Sequence, residues 1–83
     1  MIFIKQQNCA AALVEFYKVF PGIPATPSVK PENELQEALQ AIGVQTDQDS
    51  NGAVWFELLD VDTVNDLRDL AFAFTALLPF LED

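Results

Sequence analysis

The sequence predicts a small α+β domain in the order strand, helix, helix, hairpin, helix (β-α-α-β-β-α), with the C-terminal helix packed on a short antiparallel sheet. Apolar residues recur at steps of three and four in residues 62–81 and again in residues 31–42, which is the spacing of one helix face. After an Asn51-Gly52 turn signal, side chains in residues 53–61 alternate with the period of a strand. If residues 1–20 form one helix, the alternative is an all-α arrangement with one hairpin.

Length and composition favour one compact domain that spans residues 1–83. The chain is 51% apolar and contains seven phenylalanines, which suits a packed core rather than a disordered tail. Its single cysteine, Cys9, rules out an intrachain disulfide and lies in an apolar run typical of a core residue. The first residues, MIFIK, lack the basic leader and cleavage region of a signal peptide, so we expect an intracellular, cytoplasmic protein.

The first third of the chain predicts a strand and a helix. Residues 1–7 contain the β-favouring run Ile2, Phe3 and Ile4, although they could instead extend the following helix. Asn8 is a suitable N-cap for a helix over residues 9–20, which Pro21-Gly22 ends.

The helix over residues 31–42 has both of its ends marked. Pro31 suits the first helical position, and Gly43 suits the position just after the last turn, where Val44 can fold back onto Leu39. We expect a buried stripe and a polar outer face. The stripe contains Leu35, Ala38, Leu39 and Ile42, and the outer face contains Glu32, Gln36, Glu37 and Gln40.

The final helix is predicted over residues 62–81. Its core-facing stripe contains Val64, Leu67, Ala71, Phe74, Leu78 and Leu81. Pro79 removes a backbone donor, so the helix should end or kink there. Phe72, Ala76 and Phe80 lie beside or opposite this stripe, and they would form either further core or a hydrophobic interface for a homodimer.

Residue types exclude several catalytic chemistries. The chain has no histidine, which excludes a Ser/His/Asp or Cys/His nucleophilic site and an imidazole zinc site. One cysteine cannot form a thiolate cluster, and three separated glycines do not make a phosphate-binding loop. We therefore predict a protein that is not an enzyme.

Residues 47–52, DQDSNG, place oxygen-bearing side chains at alternate positions before a glycine. This pattern resembles the first half of an EF-hand calcium loop, and the resemblance implies calcium ligands at Asp47, Asp49, Asn51 and Glu57. The position of the family's bidentate glutamate is occupied by Leu58, and Glu57 comes one residue early. The alternative is an ordinary turn, which uses the same residue types. No other cofactor is predicted.

Negative charge is concentrated in the last two thirds of the chain. Residues 1–30 carry a net charge of +2, whereas residues 31–83 carry −11. Such a balance disfavours direct contact with nucleic acid or an anionic membrane and favours a basic partner. The candidate partner-binding acids are Glu32, Glu34, Glu37, Asp60, Asp62, Asp66 and Asp69. A solvated face with ordinary helix N-terminal acids is the alternative.

These observations together predict a small acidic protein-binding module. Its most concrete form is an inhibitor or decoy that occupies the basic, nucleic-acid-binding surface of another protein. Small size, acidity and the absence of catalytic groups are shared by many inhibitors from phages and mobile elements. The alternatives are a calcium-binding loop protein and a small dimeric structural or assembly protein.

Overall fold

A computed structural model describes residues 2–25, 29–56 and 67–83 of the chain. The α+β class is confirmed, with three helices and a four-stranded antiparallel sheet in the described residues. The helices are α1 (Cys9–Val19), α2 (Pro31–Ala41) and α3 (Leu67–Leu77), and the strands are β1 (Phe3–Ile4), β2 (Thr46–Gln48), β3 (Val54–Phe56) and β4 (Leu81–Glu82).

The sheet has the order β2-β3-β1-β4, and every neighbouring pair is antiparallel. Strand β1 therefore lies between the β2-β3 hairpin and the strand near the end of the chain. Phe3 is opposite Trp55 on one side and Glu82 on the other, which fixes which side chains share each face of the sheet.

The core lies between one face of the sheet and the helices. Ile4 and Val54 are fully buried on this face, and Phe56 is nearly so. Helix α1 packs against both α2 and α3, and its Phe16 is fully buried. The rings of Phe56 and Phe74 lie 5.6 Å apart, so α3 packs on the same face of the sheet as predicted.

Helix α2 ends as the sequence predicts. Gly43 has φ 87°, and its amide donates to the Gln40 carbonyl at 3.0 Å. The Val44 amide donates to the Leu39 carbonyl, also at 3.0 Å, which completes a Schellman motif. The four residues of the predicted buried stripe are all buried.

The start of α1 differs from the prediction. Asn8 occupies the N-cap position, but its side chain makes no capping hydrogen bond. A side-chain cap needs extended backbone, whereas Asn8 has φ −99° and ψ −6° because a 3₁₀ turn over Gln6–Asn8 leads directly into the helix.

The hairpin turn is longer than the two-residue turn that an Asn-Gly pair favours. Among the described residues, only glycines have positive φ. Asn51 therefore does not adopt the left-handed conformation that a two-residue turn would require of it. Instead, residues 50–52 form a three-residue loop with Gly52 at φ 80°. The Asp49 amide bonds to the Ala53 carbonyl and the Gly52 amide to the Asp49 carbonyl, both at 3.1 Å, as in a type I turn with a bulge.

The C-terminal segment differs most from the prediction. Helix α3 ends at Leu77, which agrees with the end or kink predicted from Pro79, but a 3₁₀ turn containing Pro79 (Leu78–Phe80) then leads into β4, a strand that the sequence does not predict. Leu81 is therefore a strand residue, and Ala71 and Leu78 are exposed rather than part of the buried stripe. The predicted helix start at residues 62–66 and the strand continuation at residues 57–61 lie outside the described residues. No helix in residues 2–25, 29–56 and 67–83 is long and apolar enough to cross a membrane.

Candidate interaction surface

The sheet has a second face that carries aromatic and acidic side chains. Successive residues of a strand point to opposite faces, so Phe3 and Trp55 point away from the side on which Ile4, Val54 and Phe56 are buried. The register extends this row across all four strands in the order Asp47, Trp55, Phe3 and Glu82. Phe3 and Trp55 are half-buried and do not belong to the core cluster.

The aromatic pair lines a surface concavity. This concavity is open to solvent, has a volume of about 450 Å³ and is lined by Phe3, Trp55, Asp49 and Asp83. A neighbouring concavity of about 460 Å³ shares Phe3 and Asp49 and also includes Lys5. We call this surface the open face and define it by Phe3, Lys5, Asp47, Asp49, Trp55, Glu82 and Asp83.

Negative charge predominates on the open face. Four of its seven residues are acidic and one is basic. The Lys5 ammonium lies 3.3 Å from Glu82 Oε1, and both side chains remain partly exposed, so this pair adds little stability. The residues that define the open face therefore carry a net charge of −3, which favours a cationic ligand.

The edge of the sheet formed by β2 is less suited to binding an added strand. The carbonyl of Thr46 accepts a hydrogen bond from Gln36 Nε2 at 3.0 Å, and the Gln48 amide donates to Asp47 Oδ1 at 2.8 Å. Side chains thus occupy backbone groups of β2 that an added strand would need.

The predicted acids of α2 do not form one exposed surface. Glu32 is only 6% exposed, and its Oε2 atom is buried without a hydrogen-bond partner, so it is not available to a docking partner. Its position explains this correction, because Glu32 precedes Leu35 by three residues and Leu39 by seven and so lies on the buried stripe. Glu34 is half-buried and accepts a hydrogen bond from Tyr17 Oη at 3.1 Å, whereas Glu37 is exposed.

The acids assigned to the final helix are described only in part. Asp69 is half-buried in the first turn of α3. Asp60, Asp62 and Asp66 lie outside the described residues.

The three residues of the predicted hydrophobic interface have different environments. Phe72 is 53% exposed, Ala76 is half-buried, and Phe80 packs against the core. Leu78 is also exposed, but it lies in the 3₁₀ turn that follows α3 and not on the helix that carries Phe72. These residues therefore do not form a continuous apolar stripe.

The predicted calcium ligands form part of the hairpin. Asp49 Oδ1 accepts hydrogen bonds from the amides of Asn51 at 2.8 Å and Ala53 at 3.0 Å, and Asp47 Oδ1 accepts one from the Gln48 amide. Glu57 lies outside the described residues. Among the residues that are described, no group of three or more Cys, Asp or Glu side chains is placed to hold a metal ion. The acidic pattern therefore stabilises a turn between paired strands.

Cys9 is buried beside Glu32. Its thiol donates to the Lys5 carbonyl at 3.4 Å, and its side chain is fully buried. The pKa of the Cys9 thiol is raised from 9.0 to about 11, mainly by burial and to a smaller extent by the negative charge of Glu32. The group therefore stays protonated at neutral pH and lacks the thiolate character of a reactive cysteine.

The sequence pattern does not predict the open face as a whole. The alternation of Val54, Trp55 and Phe56 already places Trp55 opposite the core, which is the one local signal for it. Comparisons with protein families, with curated proteins and with solved structures found no match to this chain.

Proposed function

We propose that this chain is a small acidic protein-binding module without catalytic activity that docks on a basic, nucleic-acid-binding surface of a partner protein. Its thirteen acidic residues exceed its four basic ones and give a net charge of −9. Charge of this magnitude on a small protein attracts basic partners over long range and accelerates their association.

The excess of negative charge carries this proposal, and the open face concentrates part of that charge on one surface. Acids that are distant in sequence, Asp47 and Asp49 from the hairpin and Glu82 and Asp83 from the end of the chain, are brought onto one side of the sheet. They surround two aromatic rings that are left out of the core. Aromatic side chains with a charged rim are characteristic of protein interfaces.

A decoy function follows from the sign of this charge. A nucleic-acid-binding protein presents lysine and arginine side chains to a phosphate array, and an acidic protein surface competes for the same side chains. Glu37 and the open face both offer exposed carboxylates, so the proposal itself does not depend on which of them makes the contact.

The experiment is capture of partners from a native lysate on the immobilised protein, followed by elution with increasing salt. We expect a basic nucleic-acid-binding protein that elutes with salt, because screening weakens contacts between exposed charges. The control is a variant that carries Glu37→Gln, Asp47→Asn and Asp83→Asn, which removes three exposed charges.

A competition experiment tests the decoy step. DNA added to the captured partner should displace it from the immobilised protein, since both ligands would occupy one basic surface. Binding that is insensitive to salt, or a partner that holds DNA and this protein together, would contradict the proposal.

A further inference from the structure

We propose that the open face binds arginine side chains of a basic partner segment, with Phe3 and Trp55 stacking on the guanidinium group and the surrounding carboxylates accepting its hydrogen bonds. This inference rests on the proposed function and assigns that function to one surface of the molecule.

The two rings and the carboxylates have complementary roles. Phe3 and Trp55 are direct cross-strand partners, so their side chains lie next to each other on the open face. Asp49 and Asp83 line the same concavity of about 450 Å³. A cation over an aromatic face, and over indole above all, is stabilised by the ring quadrupole, and a nearby carboxylate adds a charge-assisted hydrogen bond.

Charge decides between a basic segment and other occupants. The excess of carboxylates on the open face repels phosphate groups, whether in nucleic acid or in an anionic membrane. A second copy of this chain docking through the same face would bring its own Asp47, Asp49 and Asp83 against those of the first, since a two-fold interface pairs a surface with itself. A partner rich in positive charge has neither disadvantage.

The chemistry of the open face favours arginine over lysine. The guanidinium group is planar, stacks on aromatic rings, and presents several donors in a fixed fork to carboxylates. The lysine ammonium is a compact and strongly hydrated charge that loses more solvation on a partly apolar surface. In a nucleic-acid-binding partner, arginine side chains contact phosphates and stack on bases. On the open face, carboxylates and aromatic rings would provide the corresponding contacts.

Trp55 is the only tryptophan in the chain and provides a direct probe of the open face. We would titrate the protein with a short peptide of alternating arginine and glycine and follow the fluorescence of Trp55. The control peptide replaces each arginine with lysine and so keeps the charge. We expect a saturable change in emission with the arginine peptide, and binding weaker by about tenfold with the lysine peptide.

Matched charge variants locate the contact. Asp83→Asn on the open face and Glu37→Gln on α2 each remove one negative charge and keep the size of the side chain. We expect Asp83→Asn to weaken peptide binding by about tenfold, whereas Glu37→Gln should change it by less than about twofold. Phe3→Leu keeps an apolar side chain without an aromatic face, and it should weaken binding by about threefold or more. A thermal unfolding curve of each variant verifies that it is folded.

The outcomes separate this inference from the proposed function. If the arginine peptide binds but Glu37→Gln weakens it as much as Asp83→Asn does, the open face is the wrong site while docking on basic partners stands. Equal affinities for the arginine and lysine peptides would overturn the arginine assignment alone. If neither peptide binds and no basic protein is captured, the proposed function fails as well. A change in Trp55 emission with protein concentration, together with a dimer in sedimentation, would show that a second copy occupies the face.

Discussion

Replacement of Gly52 by alanine tests the described geometry of the hairpin loop. Gly52 has φ 80°, and a Cβ atom there would lie 2.9 Å from the Gln6 side-chain Cγ atom. Real Cβ atoms essentially never approach a neighbour so closely, so either the Gln6 side chain or the loop must move.

The magnitude follows from three contributions. A left-handed backbone costs an L-residue about 1–2 kcal/mol. The loss of unfolded-chain freedom on replacing glycine returns about 0.4–1 kcal/mol. Displacement of Gln6 adds a further cost, and because Gln6 is exposed this cost is small. We therefore expect Gly52→Ala to lower the free energy of unfolding by about 0.5–1.5 kcal/mol, which lowers the Tm by roughly 2–12 °C in a domain of this size.

The chain offers a matched control for this measurement. Gly22 lies outside the positive-φ region, and a Cβ there would meet no described atom within 4 Å. Gly22→Ala should leave the Tm unchanged or raise it, because only the unfolded state loses freedom. In a Gly52→Ala background, Gln6→Ala removes the close Cγ atom and should restore the steric part of the loss. Equal Tm values for Gly52→Ala and Gly22→Ala would refute the reasoning.

Two further predictions concern single side chains. Asp49→Ala removes the acceptor of the Asn51 and Ala53 amides and should destabilise the protein by about 1–2 kcal/mol in urea unfolding, whereas Asp49→Asn, which keeps Oδ1, should cost less than half as much. Equal losses would contradict the turn-capping role. Because the folded-state pKa of Cys9 is raised from 9.0 to about 11, its contribution to stability is complete below pH 9 and is lost as the pH rises towards 11. We would measure the free energy of unfolding in urea at several pH values over that range. Its decline with pH should disappear in Cys9→Ala and should be smaller in Glu32→Gln than in the unsubstituted protein. Parallel curves for these three proteins would count against this assignment.

The elements that the sequence predicts well are those with local signals. Helix α2 has Pro31 at its start, Gly43 after its end and an apolar stripe between them, and each of these signals acts over a few residues. The strand around Val54 and Phe56 likewise follows from alternation within one segment. These interactions depend on residues close together in the chain, so the sequence pattern is sufficient to predict them.

The errors arise where a local pattern has more than one solution. Leu78 and Leu81 fit a helical stripe, but Pro79 ends the helix and pairing with β1 makes Leu81 part of a strand. The charge of Glu32 predicts a place on the outer face of α2, although its spacing from Leu35 and Leu39 places it among buried residues. At Glu32 the charge predicts exposure and the helical spacing predicts burial, and the side chain is buried.

The sequence by itself determined the fold class, the buried stripe of α2 and the excess of negative charge, because composition and short-range periodicity are properties of the chain. Only the tertiary structure decided which of the acidic side chains share one surface. Strand β1 pairs with both β3 and β4, and this pairing joins residues near position 3, position 55 and position 82 into one row. The physical reason is that strand order and register are set by contacts between distant segments, and a shift of one residue would move every side chain of a strand to the other face.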